Sequence, residues 1–103
     1  MKKAKVYVDG HYAGQLIEVS RGIEYRFTYS DGYKGLSVSL TMPISQKSYT
    51  FDRFPPFFEG LLPEGPMLEA LLKKAKIDSK DLFEQLIKVG GDMVGNVTVK
   101  RAL

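Results

Sequence analysis

The stretch IEYRFTYSDGYKGLSVSLT, Ile23 to Thr41, decides the fold. From Ile23 to Tyr29 apolar and polar residues alternate, with Ile23, Tyr25, Phe27 and Tyr29 on one side and Glu24, Arg26 and Thr28 on the other. A period of two belongs to an extended strand, whose successive side chains point to opposite faces, so the segment reads as a half-buried strand. Ser30-Asp31-Gly32 is a turn signal, after which Leu36, Val38 and Leu40 alternate with Ser37, Ser39 and Thr41. That spacing predicts a fourth strand running back beside the third, and one apolar face that needs a cover.

Toward the N-terminus, Lys5 to Val8 reads as a short strand. Asp9-Gly10 follows, a pair that favours a tight hairpin because both positions tolerate positive φ, and a second strand is expected from about Ala13 to Val19. Toward the C-terminus the period changes to about 3.6 residues. Pro66 suits the first turn of a helix, where its missing N–H costs nothing, and Met67, Leu68, Leu71, Leu72 and Ala75 form one apolar stripe. Lys73, Lys74 and Lys76 near its end complement the helix dipole. A second helix is expected to start at an Asp78 or Ser79 cap, carry Leu82, Phe83, Leu86 and Ile87 inward, and stop at Gly90-Gly91. Asn96 to Lys100 closes as a last short strand. Strands followed by helices make the expected class α+β, a small antiparallel meander covered by two to three helices, with residues 1–103 forming a single domain.

Composition sets the limits on function. A chain of 103 residues supports one core and no large internal catalytic chamber. It has no cysteine, which excludes disulfides and thiolate metal sites, and no apolar run as long as a membrane span or a signal-peptide core. The expected setting is the cytoplasm. Fifteen Lys and Arg against twelve Asp and Glu give a net charge of +3, compatible with nucleic acid or an acidic protein partner and compelling neither.

Few residues point to catalysis. His11, the only histidine, reads as an exposed turn residue with no second histidine or cysteine to share a metal. Glu59, Glu64 and Asp92 are read as structural or capping carboxylates rather than an acid/base pair. The run VGGDMVGN, Val89 to Asn96, resembles a phosphate cradle only superficially. A cradle needs a strand entering and a helix leaving, whereas here the order is reversed. For a nucleic-acid module the candidates are Lys73, Lys74, Lys76, Lys80 and Lys88 for charge, with Tyr25, Phe27 and Tyr29 for stacking. Those aromatics, however, alternate as a core face does. No cofactor is expected.

The segment FPPFFEGLLPEGPM, Phe54 to Met67, is the strongest functional signal. Some of its large side chains are expected to plug the sheet. Five of them, Phe54, Phe57, Phe58, Leu61 and Leu62, on a short bridge broken by proline exceed what a connection requires, and rigid apolar loops mark partner surfaces. Pro66 and Met67 are expected to point outward.

Three motifs, LSVSLTMP at Leu36 to Pro43, FFEGLLPEG at Phe57 to Gly65 and LIKVGGDMVGNVTV at Leu86 to Val99, occur in an order and spacing that resemble the N-terminal subdomain of the HipA toxin kinases. The pattern runs from about Ala4 to Arg101. The resemblance implies a small mixed domain, in agreement with the periodicities. In fused enzymes of this type the subdomain is followed by an ATP-binding glycine-rich loop, a catalytic aspartate loop and a metal-binding aspartate. None of these occurs in this sequence, so the chain is expected not to be the kinase. As a free-standing unit it is similar to the HipS-like antitoxins of three-component HipBST systems, in which a separate HipT-like kinase is neutralised and a HipB-like protein binds operator DNA. The lysine-rich lead after Met1 and the finish after the last strand favour such a natural stand-alone product over a fragment.

The resemblance therefore implies a non-catalytic antitoxin with a HipT-like kinase as partner and a HipB-like repressor as a possible third member. The expected contact is Phe57, Phe58, Leu61, Leu62, Pro63, Glu64, Gly65, Pro66, Met67 and Leu68, acting as a proline-stiffened wedge against a kinase whose lobes must close over ATP. Relatives often carry a bulky aromatic just after the LPEG motif, where this chain has Pro66-Met67. The alternatives are a structural subunit completing a split kinase and a basic nucleic-acid module.

Overall fold

The computed structural model describes residues 1–91 and 95–102. Among them the order of elements is β1 (Lys2–Val8), β2 (His11–Ser20), β3 (Glu24–Tyr29), β4 (Ser48–Phe51), α1 (Pro56–Glu59), α2 (Gly65–Ala75), α3 (Leu82–Val89) and β5 (Val97–Arg101). All strand pairings are antiparallel, and the sheet order is β4-β3-β2-β1-β5. This is an α+β fold, with the meander of the first three strands extended at both edges by later segments. No helix among the described residues is long and apolar enough to cross a membrane.

The first hairpin forms as its turn chemistry requires. Asp9 and Gly10 both adopt positive φ, 50° and 80°, which matches the strand twist on either side. In β3 the alternation is realised from Tyr25 onward: Tyr25, Phe27 and Tyr29 are buried while Arg26 is exposed. Ile23 departs from expectation, at 67% exposed. Its N–H bonds the Ser20 carbonyl at 2.9 Å in the tight β2–β3 turn, so it lies ahead of the ladder rather than within it.

The expected strand at Leu36 to Thr41 is absent. The fourth strand is Ser48–Phe51, pairing Phe27 with Tyr49 and Tyr25 with Phe51. Leu36 to Met42 instead makes a turn, with Met42 N–H donating to the Ser39 carbonyl at 3.0 Å. Serines explain the outcome: Ser39 Oγ accepts the Thr41 N–H and Ser37 Oγ accepts the Ile44 N–H, so local side chains take donors that a ladder would need.

The core lies on one face of the sheet. Val6, Leu16, Phe27 and Val99 meet Phe58 of α1 and Phe83 and Leu86 of α3. Phe27 packs edge-on to Tyr29 at 4.9 Å between centroids and tilted to Phe58 at 6.0 Å. α3 begins later than expected, with Asp81 as its cap accepting from the Glu84 N–H at 3.2 Å. Asp78 instead closes the preceding turn by accepting the Lys80 N–H. At its far end α3 comes so close to β5 that a Cβ on Gly90 would lie 2.3 Å from the Val99 carbonyl oxygen. Glycine is what lets the helix stop against the strand.

α2 was expected to help cover the sheet and does not. It touches α3 and has no buried residue. Its stripe of Leu68, Leu71, Leu72 and Ala75 is only half-buried, because α1 and α3 already fill the space over the sheet.

Candidate partner-docking surface

The segment after β4 is stiffened before it presents anything. Phe54, Pro55 and Phe58 are buried, and Phe54 meets Tyr25 edge-on at 5.4 Å. Two prolines open α1, whose single turn is held by Glu59 N–H to the Pro55 carbonyl and Gly60 N–H to the Pro56 carbonyl, both 3.0 Å. Leu61 and Leu62 N–H groups continue the run to Phe58 and Glu59. Glu64 then turns extended, with φ −129° and ψ 164°, and Pro66 sits in the first turn of α2.

These constraints divide the ten expected contact residues. Phe58 is fully enclosed and is a core residue, so it offers no surface. Its position follows from a turn of helix that the sequence reading took for irregular chain. Phe57, Leu61, Leu62, Pro63 and Leu68 are half-buried, and Glu64, Gly65 and Pro66 are exposed. Met67 is 73% exposed, an apolar side chain at the start of a helix whose stripe its own domain leaves half-covered.

A second exposed apolar element lies beside α1. The loop from Leu36 to Ile44 is tied down at several points. Tyr29 Oη accepts the Val38 N–H at 2.9 Å and donates to the Met42 carbonyl, while Tyr33 Oη donates to the Leu36 carbonyl at 2.6 Å and Tyr49 Oη to the Pro43 carbonyl at 2.6 Å. Burial raises the pKa of Tyr29 above the ordinary phenol value. The fixed loop nevertheless holds Leu40 at 99% exposure and Leu36 at 63%. Between this loop and α1 is a cleft of about 270 Å³ lined by Thr41, Met42, Phe51, Arg53, Pro56 and Phe57. Sequence reasoning missed Leu36 and Leu40 as surface residues because their alternation imitates a strand. The pairs of locally bonding serines were the available signal.

Elsewhere the residues do not converge on chemistry. His11 is exposed at the start of β2, and among the described residues no three of His, Asp and Glu group closely enough to hold a metal. Glu59 and Glu64 are exposed, while Asp92 lies outside the described residues. The glycine-rich run has α3 entering and β5 leaving, with residues 92–94 outside the description. Tyr25, Phe27 and Tyr29 are at most 4% exposed, so the stacking platform considered from sequence does not exist on that face. The principal charged cluster is structural: Glu84 on α3 pairs with Arg101 of β5 and with Lys2 of β1 at 3.1 Å, and Asp81 is 3.6 Å from both Lys2 and Arg21. Burial pushes the Glu84 carboxyl up, but Arg101 and Lys2 outweigh it and hold the pKa below the usual carboxylate value.

This arrangement recurs in known proteins. The family model of the HipA N-terminal domain matches residues 4–100. The solved N-terminal domain of HipA toxin superposes with a TM-score of 0.78 at 30% identity, covering 100% of this chain and 94% of that one. A protein of Haemophilus influenzae (strain ATCC 51907 / DSM 11121 / KW20 / Rd), itself of uncharacterized function, is 33% identical over 100 residues, spanning 97% of this chain and 92% of the relative. A putative kinase of Sinorhizobium fredii (strain NBRC 101917 / NGR234), Y4dM, is 38% identical over 68 residues, which are 62% of this chain and only 17% of that protein. With the five-stranded sheet, the helices and nearly the whole length accounted for, the chain belongs to the HipA N-terminal domain family.

Proposed function

We propose that this chain is a non-catalytic antitoxin that binds a separate HipA-like kinase, of the HipT type, and restrains it. The observation that carries the reading is α2: an amphipathic helix with no buried residue, introduced by a proline-stiffened segment and headed by the exposed Met67. A helix forms stably in a small domain mainly by burying its apolar face, so a half-covered stripe on a well-formed helix fits a surface completed by a partner. The tied Leu36–Ile44 loop adds a second apolar prominence held rigid before docking, which reduces the entropy lost on association. Family membership supplies the kind of partner, since the solved relative is a domain of a toxin and a much longer relative is named a putative kinase. Restraint follows physically if the wedge keeps the kinase lobes from closing over ATP.

A second reading has its own support. In the Sinorhizobium fredii protein the matched region is a small part of a putative kinase, which favours a structural subunit that completes a split HipA-like kinase and links it to a HipB-like DNA-binding repressor. Titrating the chain into a HipA-like kinase core at fixed ATP, while following substrate phosphorylation, separates the two. Antitoxin action predicts a stoichiometric fall in rate, relieved by Met67→Asp without loss of folding. A stable complex with unchanged rate would favour the subunit, and no complex would sink both.

A further inference from the structure

The face of the sheet opposite the core is uncovered, and its composition is not that of an ordinary solvated surface. Strand alternation and register place Lys100, Lys5, Gln15, Thr28 and Ser48 in one row across it. Lys3, Ile17, Arg26 and Thr50 form the next row, and Tyr7 and Tyr12 face each other nearer the first hairpin. Lys5 and Lys100 are direct cross-strand partners, an arrangement of like charges that destabilises a sheet unless an anion offsets it. Arg26 is paired with Glu24 at 3.6 Å, but Lys3, Lys5 and Lys100 have no carboxylate within 4.0 Å among the described residues. Among the described residues, the fixed positive charge of these three lysines has no carboxylate partner on the face.

Aromatic and hydrogen-bonding groups lie beside that charge. Tyr7 and Tyr12 pack at 5.7 Å between centroids, with Lys100 Nζ 5.6 Å from the Tyr7 ring, and Tyr12 is 39% exposed. Next to Tyr12 is an open depression of about 300 Å³ lined by Gln15, Thr28, Ser30, Asp31 and Lys47. Around an exposed ring it offers the Gln15 amide, the Ser30 hydroxyl, the Thr28 hydroxyl already bonded to Ser48 at 3.0 Å, and the Lys47–Asp31 ion pair, a mixed set of donors and acceptors of the kind that receives the edge and face of a nucleobase.

We infer that this face binds single-stranded nucleic acid, with Lys3, Lys5 and Lys100 on phosphates and one base stacked on Tyr12 over the Gln15–Thr28 depression. A duplex hides its base faces and would leave the ring and depression unused. An acidic peptide would satisfy the lysines but has no group that requires a flat ring beside mixed donors and acceptors. The surface lies across the sheet from α1 and α3, so the inference is independent of the kinase reading and the two fail separately.

The test is fluorescence anisotropy of labelled single-stranded RNA and DNA of about 12 nucleotides, titrated with the full chain. Binding is expected with a dissociation constant of about 1–100 μM, and about three neutralised phosphates predict a roughly twenty-fold loss between about 50 and 200 mM salt. Tyr12→Ala and Lys5→Glu should each weaken binding about tenfold, Tyr12→Phe, which keeps the ring, should weaken it less than Tyr12→Ala, and the distant Lys88→Glu should leave it unchanged. Lys100→Gln replaces Lys5→Glu if circular dichroism shows that the latter unfolds. Preference for RNA or for DNA sustains the inference and assigns the sugar. Absence of binding, equal or better binding of duplex, equal displacement by polyglutamate, or indifference to both Tyr12→Ala and the lysine variant overturns it.

Discussion

β3 and the Leu36–Thr41 stretch both alternate apolar and polar residues, and they end in opposite places. In β3, Tyr25, Phe27 and Tyr29 are at most 4% exposed. In the second stretch Val38 is buried, Leu36 is 63% exposed and Leu40 is 99% exposed. The difference lies in what stands between the apolar residues. Arg26 and Thr28 leave the backbone free to pair on both sides, with β2 and with β4. Ser37 and Ser39 capture nearby N–H groups and curl the chain into a turn. Alternation decides which side chains share a face; competition for backbone donors decides whether the face exists at all.

The largest effect expected from testing this contrast is on the strand. Phe27→Ala removes a fully buried ring that touches Tyr29 and Phe58, and should cost about 3–5 kcal/mol in urea-unfolding stability. A loss below about 1 kcal/mol would mean that β3 is not the centre of the core.

Tyr29→Phe probes the joint between the two regions, since this β3 hydroxyl holds both ends of the Val38–Met42 turn. Leaving those buried backbone groups unpaired should cost about 1–3 kcal/mol, and amide exchange should speed up from residue 36 to 44 more than in β2. Uniform acceleration along the whole chain would contradict a local tether.

Leu40→Asp should leave the melting curve within about 0.5 kcal/mol of the parent, because the side chain touches almost nothing. On the proposed function it should also weaken a kinase complex about tenfold, corresponding to about 1.4 kcal/mol. Destabilisation with intact binding would reverse the assignment and make the loop part of the core.

The smallest effect concerns the edge far from the loop. The folded pKa of Glu84 is depressed, so its contribution is complete above the ordinary carboxylate value and is lost as pH falls through the lower folded value. For Lys2 burial lowers the pKa but pairing with Glu84 and Asp81 raises it by more, so its share is complete below the ordinary lysine value and lost as pH rises through the raised one. Both partners of Glu84 are partly solvated, so the cluster should be worth about 1 kcal/mol or less. The stability difference between the parent and Glu84→Gln should shrink toward zero in acid, with exchange in the 36–44 loop unaffected. A difference that persists at low pH would assign Glu84 a packing role instead.

Much of this was written in the order of residues. Asp9-Gly10 specifies its hairpin because few other pairs accept positive φ twice, the Tyr25–Phe27–Tyr29 alternation specifies an inner face, and the Leu82–Ile87 spacing specifies a helix with one side down. Each rests on local geometry, which a sequence carries intact. Ordered motifs likewise sufficed for the family, since they span nearly the whole chain. Tertiary structure alone decided which apolar segment completes the sheet and which is left outside it. Ser48–Phe51 took the edge of β3, α1 and α3 filled the space above the sheet, α2 was left half-buried and Leu40 was left exposed. The reason is volume: a small domain encloses a limited amount of apolar matter, and sequence does not show which residues arrive when that space is already full.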